Sequence, residues 1–183
     1  NGNRGITIGD NQYPRAIFSL WSEAERNAIN IYTITIDNSK RKDEKWYVNT
    51  NMTYAFDGTI ATGSYGDATA KAHADTLYTQ EDEDNGLGTK DDVKAEGLKT
   101  VLIRQVKAQA EGILNQTDWY ITRKSEKDTD IPSAISTHRD AVRSKQDSMC
   151  TAITNASDTP ALETLYTRNN NGVRPLGDLP NLE

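Results

Sequence analysis

The chain has 183 residues, 35% of them apolar and 26% charged, and its 21 Lys and Arg against 27 Asp and Glu leave a formal charge of −6. That length suits one domain or two small lobes, and the apolar share lies below the ~45–50% usual for globular domains, so the core is thin. No apolar run approaches the roughly 18 residues of a membrane span, no basic patch suggests nucleic acid, and a single cysteine, Cys150, excludes an internal disulfide.

The amino terminus, NGNRGITIGD, has no basic segment ahead of an apolar run, so no signal peptide is expected. It begins with Asn1 rather than Met, and Met is not usually trimmed before Asn, so residues upstream are expected. Residues 1–66 read as a β-rich lobe with one helix. Ile6 and Ile8 alternate before Pro14 breaks the pattern. Ser22 followed by Glu25 has the spacing of a capping box, and Arg26 near the first full turn offers Trp21 no hydrophobic staple. INIYTITID alternates, with Tyr32, Ile34 and Ile36 on its sharper apolar face. Trp46, Val48, Met52, Tyr54 and Phe56 alternate with mostly polar residues, and Asp57-Gly58 predicts a turn into a hairpin with TIATGSYG.

Residues 67–90 read as a short helix and an acidic linker. DATAKAHADTLYTQ has helical composition, with Asp67 as cap and Ala70, Ala74, Leu77 and Tyr78 on one face. EDEDNGLGTKDD interrupts it. Residues 91–167 read as a helical-hairpin lobe. Val93, Leu98, Val101, Leu102, Val106, Ala110, Ile113 and Leu114 keep helical spacing over residues 91–116, and Thr117-Asp118-Trp119 ends that helix. TRKSEKDTDI reads as a solvated connection. Asp130 and Pro132 then open a second long helix with a stripe of Ile135, His138, Val142, Met149, Ile153 and Ala156. A third, short helix runs from Pro160 to Tyr166. Residues 168–183 form an extended tail, in which Val173, Leu176, Leu179 and Leu182 give it something to bury. The fold class expected is α+β.

Few residues have the pattern of a catalytic or metal site. Glu81, Glu83, Asn85, Gly86 and Asp92 fit a calcium loop only with the first and last ligands exchanged in type and Gly88 where an apolar residue belongs, so a solvated acidic segment is the better reading. His73 and His138 have no Cys or Glu partner at metal spacing. Cys150, beside Met149 on a helix, reads as a small buried hydrophobe rather than a nucleophile. Neither G-x-S-x-G, nor a phosphate-binding G-x-x-x-x-G-K-[ST], nor G-x-G-x-x-G occurs. No cofactor or metal is expected. The aromatics are 8 Tyr, 3 Trp and 2 Phe, a balance that suits half-buried strands, protein interfaces or sugar stacking.

The second half resembles small tail-fibre and tail-assembly-chaperone-like proteins of tailed bacteriophages over roughly residues 95–157. Their pattern is a helix, a Leu-x-x-Thr-Asp-Trp stop, a proline-bearing loop and a helix with a Tyr-Arg-x-Ala-Leu-Arg core. Leu114-Asn115-Gln116-Thr117-Asp118-Trp119 matches the stop, and Ile131-Pro132-Ser133 lies in the loop. In His138-Arg139-Asp140-Ala141-Val142-Arg143, His138 stands for Tyr and Val142 for Leu. Gly9-Asp10-Asn11-Gln12-Tyr13-Pro14 in the first lobe also looks like a phage pattern. The resemblance implies a non-enzymatic virion protein of the tail or tail-fibre region, made in the host cytoplasm. It would contact other tail or fibre proteins and further copies of itself. A transient fibre-assembly chaperone and a glycan- or receptor-binding module are the alternatives. Interface candidates are Trp46, Tyr54, Trp119, Tyr120, Arg139, Arg143, Leu176 and Leu179.

Overall fold

The computed structural model describes residues 5–182. The first four residues, which belong to the reading of the amino terminus, and Glu183 at the end of the tail lie outside the described residues. The fold is α+β, and the chain divides into two compact units at Thr69 and Ala70.

The first unit opens with a small hairpin, β1 (Ile6–Ile8) against β2 (Asn11–Tyr13), antiparallel. The single helix expected there is two short ones, α1 (Ile17–Leu20) and α2 (Glu23–Asn27). Between them Ser22 adopts an extended backbone, and the capping box forms in both directions. The Glu25 N–H donates to Ser22 Oγ at 3.3 Å, and the Ser22 N–H donates to the Glu25 carboxylate at 2.7 Å. Two orphan donors of the helix start are thereby satisfied. Trp21 makes an edge-on contact with Tyr13, ring centroids 5.9 Å apart.

The main sheet has three strands in the order β3, β6, β5, with β4 (Tyr47–Val48) lying between β3 and β5 in sequence only. The central strand β6 (Ala61–Ser64) runs parallel to β3 (Ile34–Asp37) and antiparallel to β5 (Thr53–Phe56). The β5–β6 hairpin forms as its sequence predicts. Gly58 at the turn has φ +100°, a conformation that disfavours a side chain. The Asp57 carboxylate accepts the N–H groups of Thr59 and Ile60 at 2.8 and 2.7 Å, which hold its pKa below the ordinary range.

The Ala-rich segment 67–80, in which the second unit begins, is not a helix. It contains β7 (Thr69–Ala70), a loop and β8 (Thr76–Leu77). The acidic run that follows is itself partly helical, as α3 (Gln80–Asp84). Thr79 caps α3, and the Asp82 carboxylate accepts from the Thr79 N–H and from Lys94. These contacts, with the Lys94 ammonium foremost, lower the Asp82 pKa to about 2. The long helix also starts later than its periodicity suggests. Residues 93–95 form β9 (Val93–Ala95), which pairs with β8 across a bulge.

The physical reason for both corrections is one set of hydrogen bonds. Helix α4 (Leu98–Asn115) begins after Gly97, and its first donors are met by the loop before β8. The Leu98 and Lys99 N–H groups donate to the carbonyls of Ala72 and His73 at 2.9 and 3.0 Å. The Asp75 carboxylate accepts the Gly97 N–H at 2.6 Å and the Thr100 hydroxyl at 2.8 Å. Helical propensity in 67–80 is overridden because its backbone serves as a cap for a helix more than twenty residues on.

Helix α5 (Asp118–Lys127) occupies most of what reads as a polar connection. It has no buried residue, and its apolar residues, Trp119, Tyr120 and Ile121, are confined to its first turn, so no stripe runs along it to announce it. Asp118 stands in its first turn and Lys124 and Lys127 in its last, which suits the helix dipole, and Asp128 ends it with φ 50°. Helix α6 (Ser133–Asn155) follows Pro132, and α7 (Thr159–Tyr166) is capped by Asp158, whose carboxylate accepts the Ala161 N–H at 2.8 Å. Arg139 near the start of α6 reaches Leu114 at the end of α4, while Lys99 at the start of α4 reaches the Thr154 carbonyl. The two helices are therefore antiparallel, as the hairpin reading expects.

Their apolar stripes meet and form the core: Leu102, Val106 and Ala110 from α4 against Ile135, Val142, Met149 and Ile153 from α6, with Leu162 from α7. His138 is only half-buried, and its Nε2 is shielded from solvent without a hydrogen-bond partner. The tail docks on its own chain. Leu176 is buried and its N–H donates to the Leu165 carbonyl at 3.0 Å. Asp178 is held between Arg168 and Arg174 at 3.2 and 2.7 Å.

Two measurements check this architecture. Ile153→Ala, at a fully buried site, is expected to lower unfolding free energy by about 2–5 kcal/mol in urea titrations. Asp75→Asn is expected to lower stability at neutral pH. Its lowered pKa, caused first by the Gly97 N–H and then by the Thr100 hydroxyl, places its contribution above the unfolded carboxylate value of roughly 3.9. The stability gap between wild type and variant should close as pH falls through the folded pKa. A gap that stays constant with pH would refute the cap.

Candidate interaction surface

Two surfaces stand out, one in each unit. In the first, the register of the main sheet aligns two rows across the strands. Ile36, Gly63 and Tyr54 form one, and Ile34, Ala61 and Phe56 the other. Side chains alternate between faces, so all six share one face, and Thr35, Thr62 and Ala55 share the opposite one. The apolar face is not turned inward. Ile34, Ile36, Tyr54 and Phe56 are 46, 45, 66 and 50% exposed. Met52, Tyr54 and Ile36 lean over Gly63, where a Cβ would lie 2.8–3.2 Å from them. The Tyr32 ring lies against Phe56, centroids 4.3 Å apart. The result is a contiguous apolar surface with small residues along its centre, which water solvates poorly.

In the second unit the joint between α4, α5 and α6 presents an aromatic cluster. Its anchor is Arg139, which is 6% exposed. One guanidinium nitrogen donates to the Leu114 carbonyl at 2.8 Å and to Thr117 Oγ1 at 2.6 Å. The other pairs with the Asp118 carboxylate at 2.8 Å. Thr117, also buried, donates its hydroxyl to Leu114. Arg139 thus adds a charged donor to the carbonyl at the end of α4, beside the Thr117 N–H and hydroxyl that it already accepts, and fixes the first residue of α5. The next residues, Trp119 and Tyr120, are held together with ring centroids 3.7 Å apart, and the Arg123 guanidinium lies 4.9 and 5.2 Å from the two rings. Trp119 is 51% exposed, and Ile121 beside it is also exposed.

The eight interface candidates therefore occupy different environments. Tyr54 lies on the exposed sheet face, and Trp119 and Tyr120 form the stacked pair. Arg143 is exposed and pairs with Asp140 on its own helix. Leu179 is half-buried in the docked tail. Trp46, Arg139 and Leu176 are buried within the chain, so they are structural and not available to a partner. Arg139 and Arg143 lie four apart, yet one closes the helix joint and the other faces water. Ile34, Ile36 and Phe56 belong to the surface although only Tyr54 among its residues was a candidate. The alternation that identifies them as an apolar face does not say which side of the sheet is covered.

Among the described residues no three His, Cys, Asp or Glu side chains gather into a metal-binding cluster. In the acidic segment Asp82 is engaged by Thr79 and Lys94 instead. His73 lies in the loop before β8. Burial pushes the Cys150 thiol up, which makes it a poorer nucleophile. Among the described residues no helix is long and apolar enough to cross a membrane. No protein-family model matches the chain, and neither does any curated protein or solved structure.

Arg139→Met removes the shared donor and leaves Leu114 and Thr117 oxygens buried without it. It is expected to cost about 2–4 kcal/mol in unfolding free energy and to weaken the near-ultraviolet dichroism of the Trp119–Tyr120 pair. Arg143→Met should change stability by less than about 0.5 kcal/mol. Equal losses in the two variants would show that Arg139 is not the anchor.

Proposed function

We propose that the chain is a non-enzymatic structural protein of a bacteriophage tail or tail-fibre region that works through protein–protein contacts. Its partners would be other tail or fibre proteins and further copies of itself, and its place the virion after synthesis in the host cytoplasm. The observation that supports a contact role is the apolar face of the β3–β6–β5 sheet, on which four large side chains are about half exposed or more. A sheet face of this kind is ordinarily packed against another layer. The resemblance of residues 95–157 to phage tail-fibre and chaperone-like proteins supports the setting. No cofactor is invoked for this role.

The Trp119–Tyr120 pair, with Trp119 exposed, Tyr120 half-buried and Arg123 beside them, favours a second reading, a module that stacks host glycans. The two readings separate by experiment. Mass spectrometry of extensively washed particles is expected to find this polypeptide as a stoichiometric component. Its presence in infected cells and absence from particles would favour a transient assembly chaperone. Reduced adsorption to host cells by particles carrying Trp119→Ala, with normal assembly, would favour glycan binding.

A further inference from the structure

The outer edge of β5 carries an unusual combination of backbone and side-chain features. The Asp57 N–H donates to the Ile60 carbonyl, which makes Asp57 and Ile60 a hydrogen-bonded pair of the β5–β6 ladder. Such pairs alternate along antiparallel strands, so Ala55 with Thr62 and Thr53 with Ser64 are bonded pairs too. Tyr54 and Phe56 consequently direct their backbone N–H and C=O groups away from β6, toward the open edge. No backbone hydrogen bond among the described residues reaches that edge.

Open edges are normally protected by charge, proline, a bulge or a covering element. Thr53–Phe56 contains neither charge nor proline, its pairing with β6 is regular, and all four residues are exposed. The other outer strand, β3, includes Asp37. The sequence of β5 with the next residue, Thr53-Tyr54-Ala55-Phe56-Asp57, also has a symmetric pattern: polar, aromatic, alanine, aromatic, polar.

We infer that β5 pairs with β5 of a second copy, antiparallel about a two-fold axis through Ala55. In that register Tyr54 faces Phe56 of the second copy and Phe56 faces its Tyr54. Each facing pair exchanges two backbone hydrogen bonds, because both residues already direct those groups outward. The aromatic pairs fall on the same face as Ile34 and Ile36, so the apolar surfaces of two sheets become one continuous face. The two Ala55 residues form a non-bonded pair with Cα atoms ~4.5 Å apart. The interface is isologous, so it closes at two copies. This inference stands on strand geometry and does not depend on the virion reading.

The test is light scattering on the purified chain over a concentration series, with two variants. Wild type is expected to reach the mass of two chains. Ala55→Glu, which sets like charges across the axis and leaves the β5–β6 ladder alone, is expected to remain monomeric with unchanged far-ultraviolet dichroism. Ala55→Cys in a Cys150→Ser background is expected to form a disulfide-linked dimer under mild oxidation, since the separation suits the roughly 4.4–6.8 Å range of disulfides. Thr35→Cys in the same background, on the other outer strand, should not. Should Ala55→Glu fail to fold, the cysteine pair decides. Wild type that stays monomeric at every concentration overturns the inference and leaves the virion proposal standing. So does cross-linking through Thr35→Cys in place of Ala55→Cys.

Discussion

A buried guanidinium organises the helical unit. A guanidinium is rich in hydrogen-bond donors, and that of Arg139 has almost no contact with water, so its donors must be met by the protein. They are met by a carbonyl at the end of α4, a hydroxyl in the joint and a carboxylate at the start of α5. The three acceptors belong to a stretch of five residues, while the donor comes from another helix. The joint between α4 and α5 is therefore fixed only when α6 is in place. This dependence gives α5 a defined direction although none of its residues is fully buried, and it sets where Trp119 and Tyr120 emerge.

The legibility of the chain follows the range of its interactions. Features carried by neighbouring residues are visible in the sequence: the Ser22–Glu25 box, the Asp57-Gly58 turn, the stripes of α4 and α6, and the short helix from Pro160 to Tyr166. Features carried across the chain are not. Ala72–Asp75 has the composition of a helix but spends its carbonyls and carboxylate on α4. Helix α5 has apolar residues only in its first turn and none that is fully buried, so its sequence reads as a polar connection. Arg139 and Arg143 are indistinguishable by spacing, yet only one meets the end of α4. The tail is legible as extended and as containing something to bury; that it docks on α7 depends on Leu165 and on Arg168 and Arg174, which spacing does not identify.

The two units manage their apolar residues in opposite ways. The helical unit meets its stripes internally and shows a conventional core from three helices. The strand unit leaves its best apolar face and a regular outer strand to solvent. The thin apolar fraction is thus not spread evenly. A sheet with unsheltered aliphatic and aromatic residues on one side gains stability from any association that covers them. This asymmetry is the observation on which the proposed contact role rests.

The cap of α4 by Ala72, His73 and Asp75 also has a temporal side. During synthesis the acceptors leave the ribosome before the helix that needs them, so the first turn of α4 finds its partners waiting as soon as it is exposed. The opposite end has no such advantage. Leu114 and Thr117 emerge more than twenty residues ahead of Arg139; the bonds between them are local, but the guanidinium that ties them to Asp118 arrives only with α6. Vectorial synthesis therefore matures this helix from its beginning toward its end, and the joint that aims α5 is among the last parts of the unit to set.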